Sequence, residues 1–153
     1  MGHRIDIPPG EYLKGLNTVI GNIQAAVDKL DHGSTVGLAD ALLFVAGESQ
    51  QRAPVDTGDL RGSVEVTLDD NVYAHGVKGT NSTDVYIVGD LPESASKGSV
   101  SYNTPYAAVQ HEQTAYDHPN GGQAKYLESV LVENKDRILN LIAGGVADKL
   151  EGD

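Results

Sequence analysis

The segment Ala53-Pro54-Val55-Asp56-Thr57-Gly58-Asp59-Leu60-Arg61-Gly62-Ser63 constrains this chain more than any other stretch. Pro54 lacks a backbone donor and drives Ala53 out of the helical region, so a helix arriving there must stop. Asp56 and Thr57 carry short side-chain oxygens that bond backbone N–H groups two or three residues on. Gly58 permits a positive φ and hence a tight reversal. Leu60 offers an apolar anchor, and Arg61 a fork of donors. The segment reads as a structural corner that starts a new element at a fixed angle.

The hydrophobic period changes across that corner. Residues 1–10 read as an N-terminal arm, in which Pro8 and Pro9 disfavour a helix while Ile5 and Ile7 call for a partner surface. Leu13, Leu16, Ile20, Ile23, Val27 and Leu30 then repeat at alternating spacings of three and four, the stripe of an amphipathic helix. Asp31-His32-Gly33-Ser34 predicts its end, and Ser34 or Thr35 the cap of a second helix running to Arg52. Past the corner the period becomes two. Strands are expected over 63–68, 72–78, 84–89 and 100–103, with a turn at Asp69-Asp70-Asn71 and a mobile excursion over Leu91–Ser99. A short helical turn carries Tyr106 to Gln113, and a long helix is expected from Gln123 to Leu150. Its buried side is marked by Leu127, Val130, Leu131, Ile138, Leu141, Ile142 and Val146. Asn134 interrupts the pattern, and Gly144-Gly145 should bend or fray the helix. The expectation is a single α+β domain over 11–153: two N-terminal helices, an antiparallel sheet of three to four strands, and a long C-terminal helix packed on the sheet.

Charge narrows the function classes. The 22 acidic and 11 basic residues give a net charge of −11, the wrong balance for a sequence-independent DNA binder. An acidic wall would instead let a passing duplex slide without sticking. Cysteine is absent, which removes disulfides and thiolate metal sites. No apolar run is long enough to span a membrane and no signal-peptide core is present, so assembly in a cytosol is expected.

Several arrangements suggest chemistry. Asp56-Thr57-Gly58 after Val55 has the letters of an aspartic-peptidase loop, with Ile87-Val88-Gly89 as its support; one copy would need a homodimer. The spacing is too short, and Asp59 stands where that loop wants a small residue. His111, Glu112 and His118 could approach a metal, but the histidines are seven apart with a loop between them, whereas a zinc helix places them four apart. Asp69-Asp70-Asn71 lacks the glycine and distal glutamate of a calcium loop. His32 and His75 sit beside glycines in turn-like contexts and are expected to be solvated. No nucleophile elbow or phosphate-binding glycine loop occurs. Nothing here demands an enzyme, a cofactor or a metal.

Three blocks resemble a known family. The corner at 53–63 is similar to the signature of the tailed-bacteriophage neck proteins, described as tail-component, tail-completion or minor capsid proteins. Pro105-Tyr106-Ala107-Ala108-Val109-Gln110-His111-Glu112 resembles that family's second block. His118-Pro119-Asn120-Gly121-Gly122-Gln123-Ala124-Lys125-Tyr126-Leu127 resembles its loop into the last helix. The blocks follow the family's order over about residues 35 to 142. The resemblance implies a non-enzymatic virion protein of the neck, completing the tail or joining head to tail. It implies a ring of copies of itself, a hexamer, around a channel that DNA passes without specific binding. Other neck proteins and the tail tube or tail terminator are the implied partners. The motif and assembly residues carried over are Pro54, Asp56, Thr57, Gly58, Leu60, Arg61, Tyr106, Glu112, Gly121, Gly122 and Leu127. The loose label "minor capsid" keeps a capsid-surface role open.

Overall fold

The computed structural model describes residues 12–55, 59–79, 82–104, 107–112 and 122–151; of 12–30 and 108–110 it describes the backbone alone. The expected N-terminal arm, Asp56, Thr57, Gly58, Tyr106, His118 and Gly121 lie outside the described residues.

Where the sequence predicts two N-terminal helices, there is one. Helix α1 runs unbroken over Tyr12–Arg52, 41 residues and about 60 Å. The presumed stop and cap have other uses. Ser34 Oγ and Thr35 Oγ1 both donate back to the Asp31 carbonyl, 2.9 Å each, as hydroxyls inside a helix do. Gly33 is bare because another helix lies against it: a Cβ there would sit 2.9 Å from the Gly145 carbonyl oxygen. The helix stops where Pro54 requires, and the short turn α2 (Asp59–Gly62) follows the corner.

Four strands form one antiparallel sheet: β1 (Val64–Leu68), β2 (Asn71–Gly76), β3 (Val85–Ile87) and β4 (Gly98–Tyr102), in the order β3-β2-β1-β4. Central strand β1 shows why: Val64, Val66 and Leu68 are buried while Glu65 and Thr67 between them are not. Asp69 and Asp70 join β1 to β2 with φ of 47° and 67°, a left-handed pair as a tight hairpin needs. The buried face meets α1 through Ala39 and Ala46, small enough to let the helix lie close on Val64, Val66, Leu68 and Tyr73.

After α3 (Ala107–Glu112), the C-terminal helix is divided into α4 (Tyr126–Glu133) and α5 (Lys135–Glu151), with Asn134 at the break. Here the expectation of a long helix on the sheet is corrected, because the partner of α5 is α1. The two cross so closely that Cβ atoms at Gly37 and Gly145 would come within 2.3 and 2.4 Å of the opposite backbone. Gly144-Gly145 therefore neither bends nor frays the helix, since Gly145 is the contact point. Arg137 stacks its guanidinium 4.5 Å over the Phe44 ring in the same seam.

The excursion expected to be mobile is tied down. Ala95 N–H donates to Thr35 Oγ1 (2.8 Å), and His32 Nδ1 donates to the Glu93 carbonyl (3.1 Å), so His32 is not simply solvated. Asp69 Oδ1 accepts the N–H groups of Ser96 and Lys97 at 3.0 and 3.1 Å. Leu91 and Ala95 pack on the core.

Candidate functional site

The end of α1 leaves carbonyls without helical donors, and each is met from elsewhere in the chain. Arg61 Nε donates to the Ala53 carbonyl (3.0 Å) and its Nη2 to that of Gln51 (3.2 Å). Gln123 N–H donates to the Arg52 carbonyl at 2.8 Å. The fork of Arg61 thus caps a helix C-terminus, where a cation also suits the helix dipole. Gln50 answers in the other direction, its Nε2 donating to the Arg61 carbonyl at 3.0 Å. Leu60 is the anchor that the sequence suggests, 3% exposed against Ala53, Ala107 and Tyr126.

Gly122 explains why the third block needs glycine. Its φ is +95°, and a Cβ would stand 2.4 Å from Pro54 Cα. The chain enters α4 pressed against the corner. Lys125, also left-handed at φ 56°, offers no side-chain cap to that helix. The cap comes from α3 instead. The backbone N–H of Glu128, which can only donate, points 3.2 Å from His111 Nε2. Nε2 must therefore be the unprotonated nitrogen, and Nδ1–H donates to Glu112 Oε1 at 2.7 Å. Glu112 in turn pairs with Lys125, which also reaches Glu128 at 3.1 Å. These bonds hold the Glu112 carboxyl below the usual range, through Lys125 first and His111 second, and hold the Lys125 ammonium above its own.

Two tyrosines fill the junction. Tyr126, 1% exposed, donates its hydroxyl to the Ala107 carbonyl at 2.9 Å, and burial pushes its pKa up to about 12. It meets Tyr102 and His111 edge-on, with centroids 5.0 Å apart in both cases. Ser49 Oγ donates to the Ala46 carbonyl, so the Tyr102 hydroxyl 2.7 Å away must donate to Ser49; burial raises this phenol as well. Arg52 ties α4 to α1 by donating to Glu133 (2.6 Å) and to Ser129 Oγ (3.0 Å).

Comparison with protein-family models, with curated proteins and with solved structures returns no match.

Of the predicted site residues within the described set, Pro54, Leu60, Arg61, Glu112, Gly122 and Leu127 converge on this one junction, although they come from three separate blocks. Most of the polar groups gathered there are occupied by caps and ion pairs, the exception being Gln50 Oε1, which is buried without a hydrogen-bond partner. Among the described residues no cluster of three or more His, Asp or Glu could hold a metal. No described helix is long and apolar enough to cross a membrane. Sequence reasoning missed His111 as a cap, Tyr126 as the buried centre, and the Arg52 link. Only the missing cap residue before α4 could have signalled the first of these.

Proposed function

We propose that this chain is a structural virion protein of the neck of a long-tailed bacteriophage, completing the tail or joining head to tail within a ring around the DNA channel. The observation that carries the reading is the convergence of the three family-like blocks. Residues spread from Ala53 to Leu127 meet as a single set of caps, a glycine contact and an aromatic centre. Such convergence is what a fold-defining signature requires, whereas chance likenesses at three loci carry no reason to touch. A ring acts by binding, which agrees with polar groups held in structural bonds. The net charge of −11 would let DNA pass during ejection without being retained.

Deleting the gene in an infecting phage tests this. The expected lysate holds DNA-filled heads beside unattached or wrongly ended tails, with no infectious particles. Heads that fail to assemble or package would move the protein to the shell, and normal infectious particles would exclude an essential joining role.

A further inference from the structure

The His111 ring lies between α3 and α4 with its side chain 18% exposed, and its two nitrogens face different helices. Nδ1–H donates at 2.7 Å to Glu112 Oε1, on the same helix as the ring. Nε2 accepts the backbone N–H of Glu128 at 3.2 Å, across the gap. Glu128 is the third residue of α4, and the N–H at that position is the one a capping side chain ordinarily takes. Lys125 supplies no such side chain, so the imidazole is the acceptor. The Tyr126 ring meets it edge-on at 5.0 Å and fixes its position.

A proton on Nε2 would change one of these bonds and keep the other. Nε2–H would stand against Glu128 N–H, donor facing donor, so the cap would be lost. A positive ring would also stand at the positive end of the α4 dipole. The bond to Glu112 would survive and strengthen, as a charge-assisted bond does. Among the described residues the charged groups facing the ring are Glu112 on α3 and Lys125 and Glu128 on α4. A charged His111 would compete with Lys125 for the Glu112 carboxylate, while Lys125 keeps Glu128 at 3.1 Å. Two polar links between the helices thus weaken together, in favour of one within α3.

The remaining ties make this a local event. The His111 carbonyl accepts Lys125 N–H at 2.7 Å, and the Ala107 carbonyl accepts the Tyr126 hydroxyl at 2.9 Å, whatever the charge on the ring. Arg52 holds the far end of α4 through Ser129 and Glu133. Histidine is also the side chain whose charge ordinarily changes closest to neutral pH.

We propose that His111 is a proton-sensitive clasp between α3 and α4, which caps α4 when neutral and, when protonated, releases its first turn and stays with Glu112. The inference is independent of the neck reading.

Nuclear magnetic resonance on the labelled full chain tests it. Proton–nitrogen spectra follow the His111 ring between about pH 8 and pH 5, while hydrogen exchange at the Glu128 amide is measured and corrected for intrinsic chemistry. The neutral ring should carry its proton on Nδ1. Protection of Glu128 should fall about fivefold as the ring takes up a proton, the size of a lost cap, while the amides of β1 keep theirs. His111→Gln places an acceptor that cannot ionise near the position of Nε2, and should show no step across the same range. His111→Phe keeps the aromatic packing without an acceptor, and should leave Glu128 weakly protected at every pH. A neutral ring protonated on Nε2 would overturn the proposal, as would constant protection while the wild-type ring titrates. An equal step in His111→Gln would do so too, by assigning the effect to the carboxylates.

Discussion

Residues 33–52 and residues 12–27 of α1 share one helical period and are held by different means. The first stretch is enclosed: alanines let it lie on the sheet, glycines let α5 press against it, and its terminal carbonyls each have a named donor. The second stretch continues past the end of α5 by propagation of a helix already nucleated. The comparison teaches that periodicity announces a helix and an apolar side, while the covering element is decided elsewhere in the chain.

The sharpest way to break that contrast is at the crossing. Gly37→Leu places side-chain atoms where Ile142 backbone stands, its Cβ alone 2.3 Å from the carbonyl oxygen. Overpacking of this kind costs about 1–3 kcal/mol and sometimes more, so a urea midpoint should fall sharply. An unchanged midpoint would show that α5 does not need this approach. Next comes Arg61→Met, which keeps bulk but leaves the Gln51 and Ala53 carbonyls without their donor. A loss of about 1–2 kcal/mol is expected, and Arg61→Lys should restore only part of it, because one ammonium cannot copy the fork.

The pH dependence is smaller, since these groups are exposed. The folded-state pKa of Glu112 lies below 4.5, lowered by Lys125 and His111. That of Asp69 lies below 3.8: desolvation, the largest single influence, raises it, but the hydrogen bonds from Lys97 and Ser96 together outweigh this. Both contributions are present above the unfolded values and disappear as pH falls through the folded ones. Lys125 is raised above 10.5 by Glu112 and Glu128, so its contribution is present at neutral pH and disappears as pH rises through the folded value. Thermal midpoints should therefore decline at both extremes, and a Glu112→Gln variant should flatten part of each limb.

Much of the fold was legible because its cause is local. Pro54 stops a helix through its own ring, the alternation of Val64, Val66 and Leu68 writes a half-buried strand, and adjacent aspartates make the hairpin turn. The misread parts depend on distant residues. Gly33-Ser34 looks like a stop and a cap until Gly145, more than a hundred residues later, explains the missing side chain. A helical stripe over 127–146 does not say whether it faces a sheet or another helix, and here α5 faces α1. At the junction, Leu60, Arg61 and Gly122 could be picked out, since each carries a local oddity. The role of His111 could not, because the N–H group it caps belongs to another helix.

The continuity of α1 has a mechanical consequence. Between Gly33 and Tyr12 lie about 30 Å of helix, so a tilt of about 10° at the crossing carries the helix tip through about 5 Å. The crossing is the fulcrum of a lever whose short arm is clamped to the sheet and junction. Its bare glycines set the angle, with no long side chains to cushion a change. A methyl group added at Gly33 or Gly145 would accordingly be felt most as displacement at the far tip, a molecule's length away from the strands that the same helix supports.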